Sequence, residues 1–382
     1  MRSLREIKFI QSRDYNYLKI LFFSTPKIVL LCLNLNLIMQ KPILVFKIGT
    51  SSITDAKGNL DETVVQSVAK QLANLHKEFH IVIVSSGAVG TGKKFIKNYA
   101  GKIEERKAAA AIGNPILIYK YAEAFAKYKI PIAQSLCERG HFSDREKFLQ
   151  LRATYEELWK NGIIPIANEN DVVSSRELKF SDNDELATLL AVGFGAQYLL
   201  IGTSVNGVLD KNGKVISTIE KFDDKILSLA TKEKSDAGLG GMISKLTFAH
   251  LATSLGIKVI IFPAKEKNGI IQATKEKIGT VCVPKNVSKT ARQKWLASGS
   301  LVIGSIMVDE GAHKALSKRK SLLAVGVTAI INNFEEGEAI EITDINGNAF
   351  AVARAKISSK ELEKKLKQQN LILAHADDIV LM

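Results

Sequence analysis

Cysteine is scarce: the 382-residue chain has three, Cys32, Cys137 and Cys282, far apart and without a Cys-x-x-Cys pair. Such spacing supports neither a zinc site nor a disulfide framework and fits a reducing compartment. The six histidines form no His-x-x-x-His or His-Glu-x-x-His pattern, so a metalloprotease-type zinc helix is not encoded. Long apolar runs are missing too. The most apolar stretch, Leu18 to Ile38, is interrupted by Lys19, Pro26, Lys27, Asn34 and Asn36. It falls short of the ~20 uninterrupted residues a membrane helix needs. There is no internal repeat and no low-complexity tract. The dinucleotide fingerprint Gly-x-Gly-x-x-Gly is also lacking, since Gly238-Leu239-Gly240-Gly241 does not fit it. Gly87-Ala88-Val89-Gly90-Thr91-Gly92-Lys93 follows a strand and has the P-loop spacing. The next residue is Lys94, however, where a P-loop needs Ser or Thr to hold Mg²⁺.

What is present is an ordinary globular composition, 46% hydrophobic, with an excess of basic charge, +14. The excess is not spread evenly. Residues 1–38 contribute +4 and residues 299–382 contribute −1, leaving +11 in residues 39–298. A basic central segment suits an anionic small-molecule substrate more simply than a duplex, although a generally basic solvated surface gives the same count. Residues 1–38 fit no pattern in the remainder. Met39 stands directly before the first convincing strand, so this segment is expected to be an over-extended or unstructured start; a membrane anchor or targeting peptide is the alternative.

From Pro42 the chain alternates short apolar runs with helical periodicity. Strands are expected at Ile43 to Phe46, Ile81 to Val84, Ile130 to Gln134, Ile163 to Ala167, Tyr198 to Ile201 and Lys258 to Phe262. Helices are expected over Asp61 to Leu75, over Ala108 to Lys127 in two pieces around Asn114-Pro115, over Arg145 to Lys160, and from Gly238 to Leu255. Repeated β-α units with continuously apolar strands imply a mainly parallel sheet covered on both faces by helices. Ser181 and Asp184 have capping-box spacing before Leu186 to Val192, so a helix should begin there. After Pro284 the pattern changes to a polar connector, Asn286 to Trp295. Short strands bounded by Gly and Asn follow, a β-rich domain of about 80 residues.

Several strand ends carry small polar loops: Lys47 to Ser51, Ser85 to Ala88, Asn168 to Asp171, and Gly202 to Ser204. Open α/β sheets bind ligands at that edge, and loop N–H groups with a lysine nearby hold anions. Lys47 and Lys245 both fall where such a ligand would lie. Taken singly, each lysine reads as a solvated element end and each Asn/Asp cluster as a turn.

Five motifs in order carry a resemblance. Lys47-Ile48-Gly49-Thr50-Ser51, Val84 to Val89, Asn168 to Asp171, Phe180 to Leu186 and Gly240 to Lys245 resemble the glutamate 5-kinase family. Val308 to Ala312 and His375 to Asp378 resemble its appended PUA domain. The resemblance implies a three-layer α-β-α sandwich with a mainly parallel sheet, the amino-acid-kinase fold, over residues 39–298. A small β-rich PUA-like domain over 299–382 follows it. It implies ATP-dependent phosphorylation of the γ-carboxylate of L-glutamate, the first step of proline biosynthesis, in the cytoplasm. Lys47, Lys245 and Asp184 would be catalytic. Ser86, Asn168, Asp171, Asp182 and Asn183 would bind glutamate. Lys47, Gly49, Thr203, Ser204, Leu239, Gly240, Gly241, Met242, Ile243, Ser244 and Lys245 would face ATP. Mg²⁺ would accompany the nucleotide without a dedicated protein metal site. Proline as feedback inhibitor and a homo-oligomer are further expectations, and no membrane contact is expected. The chain departs from the family pattern at Ser204, where Asp is usual, and at Leu239, where Thr is usual. Other kinases of the same fold, and an RNA-binding protein acting through the PUA-like domain, are the competing readings. The near-neutral C-terminal segment is a poor match to a phosphate backbone.

Overall fold

The computed structural model describes residues 41–173, 183–223, 226, 229, 241–286, 302–366 and 368–381. The expectations for residues 1–38, for Ser181, Asp182, Gly238, Leu239 and Gly240, and for the connector over 287–295 lie outside the described residues.

Mostly apolar hexapeptides build the central sheet: β1 (Ile43–Ile48), β2 (His80–Ser85), β3 (Ile132–Cys137), β4 (Ile164–Glu169), β5 (Tyr198–Thr203) and β7 (Lys258–Pro263). Two short strands, β6 (Thr218–Ile219) and β8 (Thr280–Cys282), complete it in the order β3-β4-β2-β1-β5-β7-β8-β6. The first six run parallel to their neighbours. β8 is antiparallel to β7 and carries β6 beside it. These last two are too short to have a readable period and were not expected.

Alternation along β1 divides the core. Leu44, Phe46 and Ile48 face helices Glu62–Leu75, Ile103–Ala126 and Gly269–Thr274. Val45 faces helices Arg145–Lys160, Asn183–Phe194 and Met242–Ser254. By the same period, Lys47 belongs with Val45, under the second layer. Asp61 caps the Glu62–Leu75 helix through Thr63 N–H and Val64 N–H, which is why it begins where the sequence suggests. The Arg145–Lys160 helix keeps its expected bounds. Its Phe148, Tyr155 and Trp159 pack against Phe194, and Trp159 Nε1 donates to the Ile81 carbonyl at 3.0 Å.

Two expectations need correction. Helix Ile103–Ala126 is continuous through Pro115, not two pieces. Proline removes one backbone bond there, but the helix is held by backbone contact at the same turn. A Cβ on Gly113 would lie 1.8 Å from the Ala88 carbonyl oxygen, and one on Gly92 would lie 1.9 Å from that of Ala109. β4 also does not stop at Ala167; Asn168 and Glu169 are its last residues, each 7% exposed. Their polarity suggested a loop, yet side-chain partners make the burial tolerable. Pro165 sits in this inner strand because pairing to β2 begins only at Ile166.

The C-terminal unit has a five-stranded sheet, β9 (Val302–Val308), β11 (Val327–Asn332), β12 (Ala339–Thr343), β13 (Ala349–Arg354) and β15 (Ile379–Leu381), in the order β11-β9-β12-β13-β15. β10 (Leu322–Leu323) and β14 (Ile372–Ala374) form a separate pair. Ile306, Ile340, Ile342, Ala351 and Leu362 fill its own core.

Candidate active site

Sheet order decides which loops meet. β4, β2, β1 and β5 are consecutive neighbours, and Val84 is level with both Lys47 and Ala167, as Lys47 is with Ile201. Their carboxyl ends therefore present Asn168, Ser86, Lys47 and Thr203 in a row. At ~4.8 Å per strand the row spans about 14 Å. It includes the point where the chain, having filled one side of β1, returns to the other, the position where open α/β sheets take ligands.

At the middle of the row, Lys47 Nζ lies 2.6 Å from Asp184 Oδ1, and Lys245 Nζ lies 3.2 Å from Asp184 Oδ2. Asp184 is 0% exposed, Lys47 4% and Lys245 8%. Three elements converge to make this centre. Lys47 comes from β1, Asp184 from the first turn of helix Asn183–Phe194, and Lys245 from the first turn of helix Met242–Ser254. Burial is the largest influence on the Asp184 carboxyl and pushes its pKa up. The two ammonium groups together outweigh it and hold the carboxyl below its usual 3.8. At neutral pH the centre is two cations about one anion. Gly49 lies beside it, since a Cβ there would be 3.5 Å from Lys47 Nζ.

On the β2–β4 side, Asn183 Nδ2 donates to Ser86 Oγ at 2.8 Å and to Asn168 Oδ1 at 3.0 Å. Gly87, next to Ser86, has φ +107°, a backbone that only glycine takes without strain. Asp171 opens the turn after β4 and is half-buried. On the β5 side, Thr203 is buried at the strand end and Ser204 is exposed. Gly241 precedes the Met242–Ser254 helix in extended conformation; Met242 is buried, Ser244 half-buried, and Ile243 lies in the first turn. Of the sequence-derived site residues, Lys47, Asp184 and Lys245 are joined by contacts, as are Ser86, Asn168 and Asn183. Asp182, Leu239 and Gly240 lie outside the described residues.

Three residues were not legible in the sequence. Asn114 Oδ1 accepts a hydrogen bond from Asn168 Nδ2 at 3.0 Å. Arg139, just beyond β3, donates to both carboxylate oxygens of Glu185 at 2.6 and 2.8 Å, and Glu185 is 1% exposed. This pair fixes the helix turn that carries Asp184. Arg139→Leu would remove a bidentate partner from the buried Glu185 carboxylate, so stability should fall by up to about 3 kcal/mol, reported by denaturant titration. An unchanged midpoint would show that Glu185 has sufficient other partners.

Residues 42–263 match the amino acid kinase family, and residues 304–375 match the PUA domain. A glutamate 5-kinase from Thermoanaerobacter sp. (strain X514) is 36% identical over 84% of this chain and 89% of its own length. The chain belongs to the amino acid kinase family, in its glutamate 5-kinase branch. Glutamate 5-kinase 1 of Bacillus licheniformis is 38% identical over 85% of this chain and 92% of its own length. That of Haemophilus influenzae (strain PittGG) is 33% identical over 90% of this chain and 100% of its own.

Family membership also accounts for the P-loop look-alike. In this amino acid kinase Ala88–Gly92 is a short helix whose Gly92 backbone presses on the Ala109 carbonyl. Gly92, with Gly113 of the facing helix, allows this close helix–helix approach. Among the described residues no group of three or more His, Cys, Asp or Glu side chains converges as a metal site. Nor, among them, is any helix long and apolar enough to cross a membrane.

Proposed function

We propose that this chain transfers the γ-phosphoryl group of ATP to the γ-carboxylate of L-glutamate, yielding L-glutamyl 5-phosphate and ADP, the first step of proline biosynthesis. The observation that carries this reading is the adjacency, along one sheet edge, of an amide–hydroxyl cluster and a buried Lys–Asp–Lys centre. A side-chain carboxylate has a pKa near ~4.3, so at neutral pH it is already the nucleophile and requires no general base. One carboxylate oxygen attacks the γ-phosphorus as the bond to the β-phosphate oxygen breaks, and ADP departs with those electrons. The main obstacle is repulsion between two anions. Lys47 and Lys245 offset it as charge moves to the bridging oxygen, and Asp184 holds both ammonium groups in place.

Ser86, Asn168, Asp171, Asp182 and Asn183 are assigned to glutamate. Gly49, Thr203, Ser204 and residues 239–245, with Lys47, are assigned to the nucleotide. Asp184 has both oxygens engaged by lysines, so Mg²⁺ would arrive with the triphosphate and be held mainly by phosphate oxygens and water. Cytoplasmic location, feedback by proline and a homo-oligomeric state belong to the same proposal. The direct test is an assay of purified full-length protein for hydroxamate formation from glutamate, ATP and hydroxylamine. Glutamate-independent ATP consumption, with no hydroxamate, would sink the assignment.

Asp171 makes the substrate assignment specific. Its carboxylate suits the α-ammonium of free glutamate, and a charge-assisted bond contributes about 1.5–3 kcal/mol. Asp171→Asn should therefore lower kcat/KM for glutamate by ~10- to 150-fold, leave nucleotide affinity alone, and erase much of the preference for glutamate over N-acetylglutamate. If Asp171 serves only the turn after β4, asparagine will replace it with no kinetic change.

A further inference from the structure

Asn114 lies on the first helical layer and outside every motif assigned to the site, yet it terminates a line of hydrogen bonds that reaches the substrate pocket. It is 5% exposed, and its Oδ1 accepts from Asn168 Nδ2 at 3.0 Å. Asn168 Oδ1 accepts from Asn183 Nδ2 at 3.0 Å, and the same Nδ2 donates to Ser86 Oγ at 2.8 Å. An amide has one acceptor oxygen and two N–H donors, so fixing one end of such a line fixes the orientation of every member. With Asn114 supplying an oxygen, Asn168 must turn its nitrogen toward the helix and its oxygen toward Asn183. Asn183 then spends both N–H groups, on Asn168 and Ser86. Its Oδ1 is left buried without a partner among the described residues. Ser86 Oγ, having accepted from Asn183, has its own hydrogen to give.

The line thus leaves one unsatisfied carbonyl oxygen on Asn183 and one hydroxyl donor on Ser86. That is the complement of an ammonium beside a carboxylate. Were Asn114 unable to accept, the Asn168 amide would gain by turning over to bring its nitrogen to Asn183. Asn183 would follow, and the donor–acceptor pattern offered to a ligand would invert. The helix bearing Asn114 is tied to the Ser85–Ala88 loop on either side of this point. Gly113 packs on the Ala88 carbonyl, and Tyr121 Oη is 3.0 Å from Ser85 Oγ. The backbone that carries Asn114 is therefore held at a set position relative to Ser86.

We propose that Asn114 is a positioning residue for the amino-acid substrate: through Asn168 it sets the polarity of Asn183 and Ser86 so that the pocket selects a zwitterionic α-amino acid. This rests on the assignment of that pocket to glutamate. The test compares Asn114→Leu, similar in shape but unable to accept, with Asn114→Asp, which keeps the accepting oxygen, in the full-length chain. The leucine variant should raise the glutamate KM at least ~10-fold, in line with a buried amide left unsatisfied, with the ATP KM within about 2-fold. The aspartate variant should stay within about 3-fold of the parent for both substrates. In an Asn183→Ala background, Asn114→Leu should add little, because its route to the substrate is already cut. An unchanged glutamate KM, an equal rise in both KM values, an aspartate variant as impaired as the leucine one, or full additivity with Asn183→Ala would each overturn the role. Were Asn114→Leu not to fold, Asn114→Ser, whose hydroxyl ends a bond short of Asn168, takes its place with the same expected split. If the unmutated chain shows no glutamate-dependent turnover, the assignment of function fails and this role with it. If the parent turns over and the variants show no split, only the role of Asn114 fails.

Discussion

Alanine at Lys47 or at Lys245 should lower kcat by ~10²-fold or more while the glutamate KM stays within a few-fold. Both ammonium groups are buried against one carboxylate and point at the sheet edge from different elements. Neither is a flexible surface charge attracting substrate from a distance. In the ground state each already has Asp184 as a partner, so the ligand adds a modest increment. As the bond to the leaving ADP breaks, negative charge grows next to them in a site screened from water. That is where a fixed cation contributes most, and interactions that strengthen only in the transition state appear in kcat rather than KM. The measurement is steady-state kinetics with glutamate and ATP varied independently. A normal kcat with a raised KM for ATP would reassign that lysine to ground-state nucleotide binding. Removal of either lysine also leaves a one-to-one pair with Asp184, so the variants should remain folded, which thermal melting can check.

The membership of this centre was indicated in the sequence by five motifs in order that resemble a known family, while each motif taken singly had a plain structural reading. Lys47 follows the apolar run Ile43 to Phe46, and read singly it is a solvated element end; its burial inside β1 emerges only from the structure. Ser86 and Gly87 interrupt an equally apolar run. Asn183 and Asp184 open a helix whose continuation, Leu186 to Val192, is mostly apolar. What sequence could not supply was pairing at long range. That Asp184 orients Lys47 and Lys245 was implied only by the family resemblance, and nothing indicated that Arg139 clamps the neighbouring Glu185; the sheet order brings those segments together. Asn114 was hidden for a different reason. An Asn-Pro pair within helical periodicity reads as a break, and the Gly113–Ala88 contact that keeps the helix whole joins residues from separate elements. Asn168 and Glu169 failed as strand residues because propensity treats polar side chains as solvated, whereas Asn168 is satisfied by two other amides. β6 and β8 were too short for any periodic signal.

Asp184→Asn should produce a different pattern from either lysine variant. It preserves shape but changes a centre of net +1 into one of net +2, with two buried ammonium groups and no anion between them. Three consequences follow. First, stability falls, because removing one partner of a buried ion pair leaves uncompensated charge; a loss of about 3–5 kcal/mol is the usual scale. Second, kcat falls on the order of 10²- to 10³-fold, since both lysines lose the group that orients them and a shift of an ångström is costly at this stage. Third, nucleotide affinity holds or tightens, because a polyanion now supplies the missing counter-charge. The pH dependence has a definite sign. The folded-state pKa of Asp184 is depressed below its usual 3.8, so its stabilising effect is complete above that value and disappears as pH falls through the folded-state pKa. In the asparagine variant that acid-limb loss should be smaller, so the two stability curves should approach each other as pH falls below 3.8 toward the folded-state pKa. Calorimetric titration with a non-hydrolysable ATP analogue, beside denaturation from pH 7 down to pH 3, measures all of this. Weaker nucleotide binding together with unchanged stability would mean that Asp184 does not hold the two lysines at all, and that the buried centre is organised by other contacts.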